Sequence, residues 1–99
     1  MNKKSLDTEK HFKTLDLFLA SFLVAKGLNL IRTAPSSVYN QIVFVLEDHK
    51  DLETWSGDFY NGEAEVNVQE FIKSMKYLRS LIYQFKYNNN KNVTAKNVE

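Results

Sequence analysis

Leu15–Ala25 reads LDLFLASFLVA, and nine of these eleven residues are apolar or alanine. Only Asp16 and Ser21 interrupt the run. At about 100° per residue they point ~140° apart, with Lys26 near a third direction, so the stretch has no single polar face. A helix that is apolar nearly all round has to be covered on several sides. It is therefore a central helix or part of an association surface, and it falls short of the ~20 apolar residues needed to span a bilayer. Thr14 is placed to cap its start, Asp16 complements the positive end of its dipole, and Gly27 stands where a left-handed residue ends a helix. The expected helix is 15–26.

The flanks of this rod are read by the same rules. Residues 1–11 are polar and mixed in charge, without periodicity, and read as a flexible lead. Leu28–Thr33 and Val38–Leu46 are rich in Val, Ile, Leu and Phe and read as strands. Ala34-Pro35-Ser36-Ser37 reads as the turn that joins them into an antiparallel hairpin. In the second strand Ile42, Phe44 and Leu46 share one face and Val43 and Val45 the other, so one side is core and the other is partly covered. Asp48, with Asp51 three residues on, opens a further helix whose apolar stripe is Leu52, Trp55 and Phe59 and which Gly62 ends. Asn67 and Glu70 then form a cap-and-box pair, with Val66 and Phe71 as the staple around them. Phe71, Met75, Leu78, Ile82 and Phe85 continue as an unbroken stripe at spacings of four and three, which predicts a long amphipathic helix over 68–86. Residues 88–99, rich in Asn and Lys, have nothing to bury and read as a disordered tail.

The expected architecture is α+β, in the order helix–strand–strand–helix–helix, as a single domain over 12–87. The hairpin packs on the central apolar helix and on the long C-terminal one. With 99 residues and 43% hydrophobic content the core is small but adequate, and thirteen aromatic residues add to its buried area. Cysteine is absent, which excludes disulfide and thiolate chemistry and fits a reducing compartment. The N-terminus lacks the apolar core and small-residue cleavage pattern of a signal peptide, so a cytoplasmic location without a membrane role is expected.

With these elements in place, the chain resembles a family of small bacterial and phage proteins classed as a domain of unknown function. The resemblance is carried by Lys13-Thr14-x-Asp16-Leu17-Phe18-Leu19-Ala20, Ala25-Lys26-Gly27, Val43-Phe44-Val45-Leu46-Glu47-Asp48, Phe59-Tyr60-Asn61-Gly62-Glu63-Ala64-Glu65-Val66 and Leu78-x-Ser80-Leu81-Ile82-Tyr83. It implies the same order of elements. It brings no catalytic residue, cofactor or substrate with it.

Charge is distributed unevenly behind a net value of +1. From Glu47 to Glu70 eight acids face one base, Lys50; from Phe71 onward six bases face one acid, Glu99. On the long helix Lys73, Lys76, Arg79 and Lys86 fall in one band with Tyr83 and Tyr87 between them. Cations pair with phosphates and aromatic rings stack on bases, so this band is the expected nucleic-acid surface. A solvated helix that places its bases toward its own negative end has the same pattern. Phe18, Phe22, Val43 and Val45 are the candidates for an association surface, through which the chain would act as a homodimeric interaction module. Glu47-Asp48-His49-Lys50, at the end of a strand, has the residue types of a metal-dependent nuclease. The same residues serve equally as the start of a helix, and no second strand supplies a further acid. His11 and His49 lack ligand spacing, and no nucleotide-binding or nucleophile motif is present. The expectation is a non-enzymatic binding module with no metal or cofactor.

Overall fold

A computed structural model describes residues 10–38 and 41–98, with side chains as far as residue 88. The order of elements is β1 (His11–Thr14), α1 (Leu17–Ala25), β2 (Leu30–Pro35), β3 (Ile42–Glu47), α2 (Leu52–Asn61) and α3 (Val68–Val98). The three strands form one antiparallel sheet in the order β1-β3-β2, so the fold is α+β as expected, with one strand more than the sequence reading. That strand is β1, paired from His11↔Glu47 to Thr14↔Phe44. It is four residues long with one large apolar side chain, Phe12, which is too little for a periodic signal. The domain therefore begins by His11; residues 1–9 of the expected lead lie outside the described residues.

Helix α1 occupies the centre. Leu19, Ala20, Ser21, Phe22 and Leu23 are all buried, and these five consecutive residues point in every direction around the axis. Ser21 is tolerated there because its hydroxyl donates to the Leu17 carbonyl one turn back, at 2.8 Å. The helix packs mainly on α3, with further contacts to α2, β1 and β3. On the sheet side Ile42, Phe44 and Leu46 project into the same core, which Leu28 and Leu78 complete. From α2, the Phe59 ring sits 5.4 Å from that of Phe22.

Both ends of α1 are fixed by identifiable groups. The N-cap is Asp16, two residues beyond the expected Thr14: its Oδ1 accepts from the N–H groups of Phe18 at 2.9 Å and Leu19 at 3.1 Å. Thr14 belongs to β1 and its Oγ1 accepts from the Asp16 N–H at 3.0 Å. At the other end Gly27 adopts φ 117° and the chain closes in a Schellman pair. The Leu28 N–H donates to the Leu23 carbonyl at 3.0 Å and the Gly27 N–H to that of Val24 at 2.9 Å. Lys26, beside this end, lies 5.4 Å from the Trp55 ring centroid and donates to the Glu65 carbonyl at 3.4 Å. It thereby ties α1 to α2 and to the segment that leads into α3.

The hairpin differs from its expected boundaries. Pro35 does not turn the chain; it pairs with Ile42 at the end of β2, and β3 starts at Ile42 rather than at Val38. An edge strand accommodates proline because one row of its backbone groups has no partner to lose. Helix α2 begins at Leu52 with Asp51 before it, three residues after the expected Asp48 cap, and Gly62 ends it with φ 78° in a second Schellman pair. For α3 the Asn67 side chain accepts from the Glu70 N–H at 3.0 Å, as the capping pair requires. Its backbone stays helical to Val98, past the expected end at Lys86 and through the segment read as a tail. No Gly or Pro follows Gly62 to stop it.

Asp16 holds a second partner: its Oδ2 accepts from the Tyr60 hydroxyl at 2.9 Å. That hydrogen bond, with lesser contributions from burial and from the Asp16 charge, raises the Tyr60 phenol above its ordinary 10.0. The phenol keeps its proton more firmly in the folded chain, so its contribution to stability is present below pH 10 and fades as pH rises through the raised value. Asp16→Ala should cost about 1 kcal/mol in denaturant unfolding, whereas Asp16→Asn, which still caps, should cost less and return the Tyr60 titration toward the ordinary value. Absorbance titration and urea melts check both.

Gly57, inside α2, is conformationally ordinary and a Cβ there would meet nothing within 4 Å. Gly57→Ala should therefore stabilise by about 0.4–1 kcal/mol, while Gly62→Ala at positive φ should destabilise by more than that. Urea melts of the two variants should move in opposite directions.

Candidate nucleic-acid interface

The face of α3 that turns inward is set by Ser74 and Leu78, both buried, with Phe71, Leu81, Ile82 and Phe85 partly buried against the core. At 100° per residue the opposite side of the helix is the band carrying Lys73, Lys76, Arg79, Tyr83, Lys86 and Tyr87. All six are exposed, Tyr83 by 65% and Tyr87 by 63%. The structure thus brings the six sequence-predicted residues onto one open face, spread over about 20 Å of helix from Lys73 to Lys86 at ~1.5 Å per residue. Tyr77, 52% exposed, borders it.

Among the described residues, one ion pair touches this face. Glu70 is the one acid in the α3 sequence. Its Oε2 lies 3.7 Å from the Lys73 ammonium, with both side chains largely in solvent, a pair worth little. Arg79 rests one turn back against the Met75 sulfur at 3.7 Å. The other acids of the 47–70 segment stand on or near α2. Cations and carboxylates are segregated by element, which gives α3 a field of one sign along its outer side.

An open groove of about 310 Å³ lies next to the C-terminal part of this face. Leu15, Gln41, Ile42, Phe44, Ile82, Phe85 and Lys86 line it, so Lys86 belongs both to the groove and to the basic band. Sequence reasoning missed it because its walls come from three separate segments, and only their packing makes a concavity.

The remaining predicted residues are dispersed. Glu47 is occupied by Asn29, accepting from its backbone N–H at 3.1 Å and its side-chain amide at 3.3 Å. Asp48 accepts from the His49 N–H at 2.8 Å, and His49 Nδ1 accepts from the Asp51 N–H at 3.0 Å. The His49 ring stacks on Trp55 with centroids 4.6 Å apart. These residues shape the turn from β3 into α2, and among the described residues no group of three His, Cys, Asp or Glu side chains is gathered as a metal site. A second hollow of about 440 Å³ runs past Phe12, Asp48, His49, Lys50, Leu52, Glu53 and Ser56. Its charges are of both signs.

The four residues of the expected association surface differ in exposure. Phe22 and Val45 are buried at 2% and 0% exposure, whereas Phe18 is 52% exposed on α1 and Val43 is half-buried on β3. In the sheet, Lys13 and Arg32 are the direct partners of Val45 on either side. Phe22 is taken up by the α1–α2 contact with Phe59.

No helix among the described residues is long and apolar enough to cross a membrane. No curated protein and no solved structure matches the chain. A family model described as a domain of unknown function, DUF5659, matches residues 9–85, from two residues before β1 to the end of the inward stripe on α3. The match covers most of the sequence and all three strands. The chain belongs to the DUF5659 family of domains of unknown function.

Proposed function

We propose that this protein is a small, non-catalytic nucleic-acid-binding module, an accessory or regulatory protein of bacterial or phage origin that works in the cytoplasm. The observation that carries the reading is the outer face of α3, where four cations and two tyrosines stand exposed with a single, weakly paired acid at one margin. Cations there neutralise phosphates and release counterions, while the tyrosines offer flat surfaces to bases. The sheet, α1 and α2 serve as the scaffold that holds α3 rigid, and a rigid element presents its contacts at fixed spacing. Self-association is the weaker reading, because two of the four side chains it would use are core residues.

The test is oligonucleotide binding by fluorescence anisotropy as a function of salt. The wild-type chain should bind at low ionic strength with affinity that falls as salt rises. Lys76→Glu combined with Arg79→Glu should weaken binding at least tenfold and lower the salt slope by about two, with the circular-dichroism spectrum unchanged. Absence of binding at low salt would overturn the proposal.

A further inference from the structure

We infer that the groove between the start of β3 and the end of the inward stripe on α3 takes a single unpaired base, which makes the ligand single-stranded nucleic acid. The inference rests on the nucleic-acid reading of α3 and deepens it. Three observations support it. First, Lys86 lines the groove and also terminates the basic face, so a strand whose phosphates follow Lys73, Lys76 and Arg79 arrives at the groove mouth with a cation still beside it. Second, the groove's chemistry suits a base rather than a phosphate. Its apolar lining is Leu15, Ile42, Phe44, Ile82 and Phe85, and its two polar lining residues are Gln41 and Lys86. An amide supplies both a donor and an acceptor, which is what the edge of a base requires. Third, its volume of about 310 Å³ lies at the lower limit of ~300–1,000 Å³ for small-molecule sites, which is room enough for a planar ring system.

In a duplex each base is stacked and paired inside the helix, and only an unpaired or extruded one can reach such a groove. The surface of Leu15 is 51% exposed at the groove's edge, so a larger side chain there has room to fold and would fill the space the base needs. Phe85 offers a ring whose removal need not remove its packing, since leucine retains an apolar contact in its place.

The experiment compares a fluorescein-labelled single strand of about 12 nucleotides with the matching duplex, using the full chain. Wild type should prefer the single strand. Leu15→Trp and Phe85→Leu should each weaken single-strand binding about tenfold and leave the residual duplex binding unchanged. Equal or tighter binding of the duplex, or single-strand affinity unmoved by both variants, would overturn the base site while leaving the basic face in place. If neither probe binds to wild type at low salt, the groove and the basic face fail together.

Discussion

A nine-residue helix does not hold itself together in water, where helices shorter than ~12–15 residues are marginal even with favourable composition. Helix α1 exists because it is enclosed, and the rest of the structure is arranged to enclose it. The sheet covers it with Ile42, Phe44 and Leu46, α2 reaches it through Phe59, and α3 lies along it with Leu78 buried at the contact. Its caps do the same work from the ends. Asp16 satisfies two free N–H groups of the first turn and holds Tyr60 of α2, while Lys26 lies over Trp55 and bonds the Glu65 carbonyl. Both ends of the short helix are thus joined to α2, and the C-terminal end also to the segment that leads into α3.

The enclosure also decides what the surface has left to offer. Helix α3 gives one side to α1: Ser74 and Leu78 are buried there, and Phe71, Ile82 and Phe85 pack partly against the core, the last two also lining the groove. The outer side is exposed and carries cations and tyrosines. The acids sit elsewhere, on the segment from the end of β3 through α2, where several serve local structure: Glu47 holds Asn29 and Asp48 accepts from the next residue's N–H. A molecule that pairs its charges within each element has little field outside. Here the two signs occupy different elements, and the basic one is the longest in the fold.

The parts legible in the sequence were those set by local chemistry. The apolar rod, the two glycine stops, the Asn67 cap and the inward stripe of α3 each follow from residue type at fixed spacing. Three things were hidden. Strand β1 has one apolar side chain, and its four residues are strand only because β3 lies beside them. The hairpin ends were misplaced because Pro35 looks like a turn residue until it is known to lie on an edge. The shift of the α1 cap from Thr14 to Asp16 follows from β1, which uses Thr14 first. For the candidate site, the basic band was readable because it lies on one helix, where spacing fixes direction. The groove and the burial of Phe22 and Val45 were not, since each depends on which elements meet across the core.

Native-state hydrogen exchange bears most directly on the enclosure of α1. Its Phe22 and Leu23 amides lie in the most buried part of the molecule and are expected to exchange only on global unfolding, as slowly as the slowest amides of β3. Exchange of these two amides through a low-energy local opening, faster than those of α2, would show that α1 is not the element the others surround and would contradict the account.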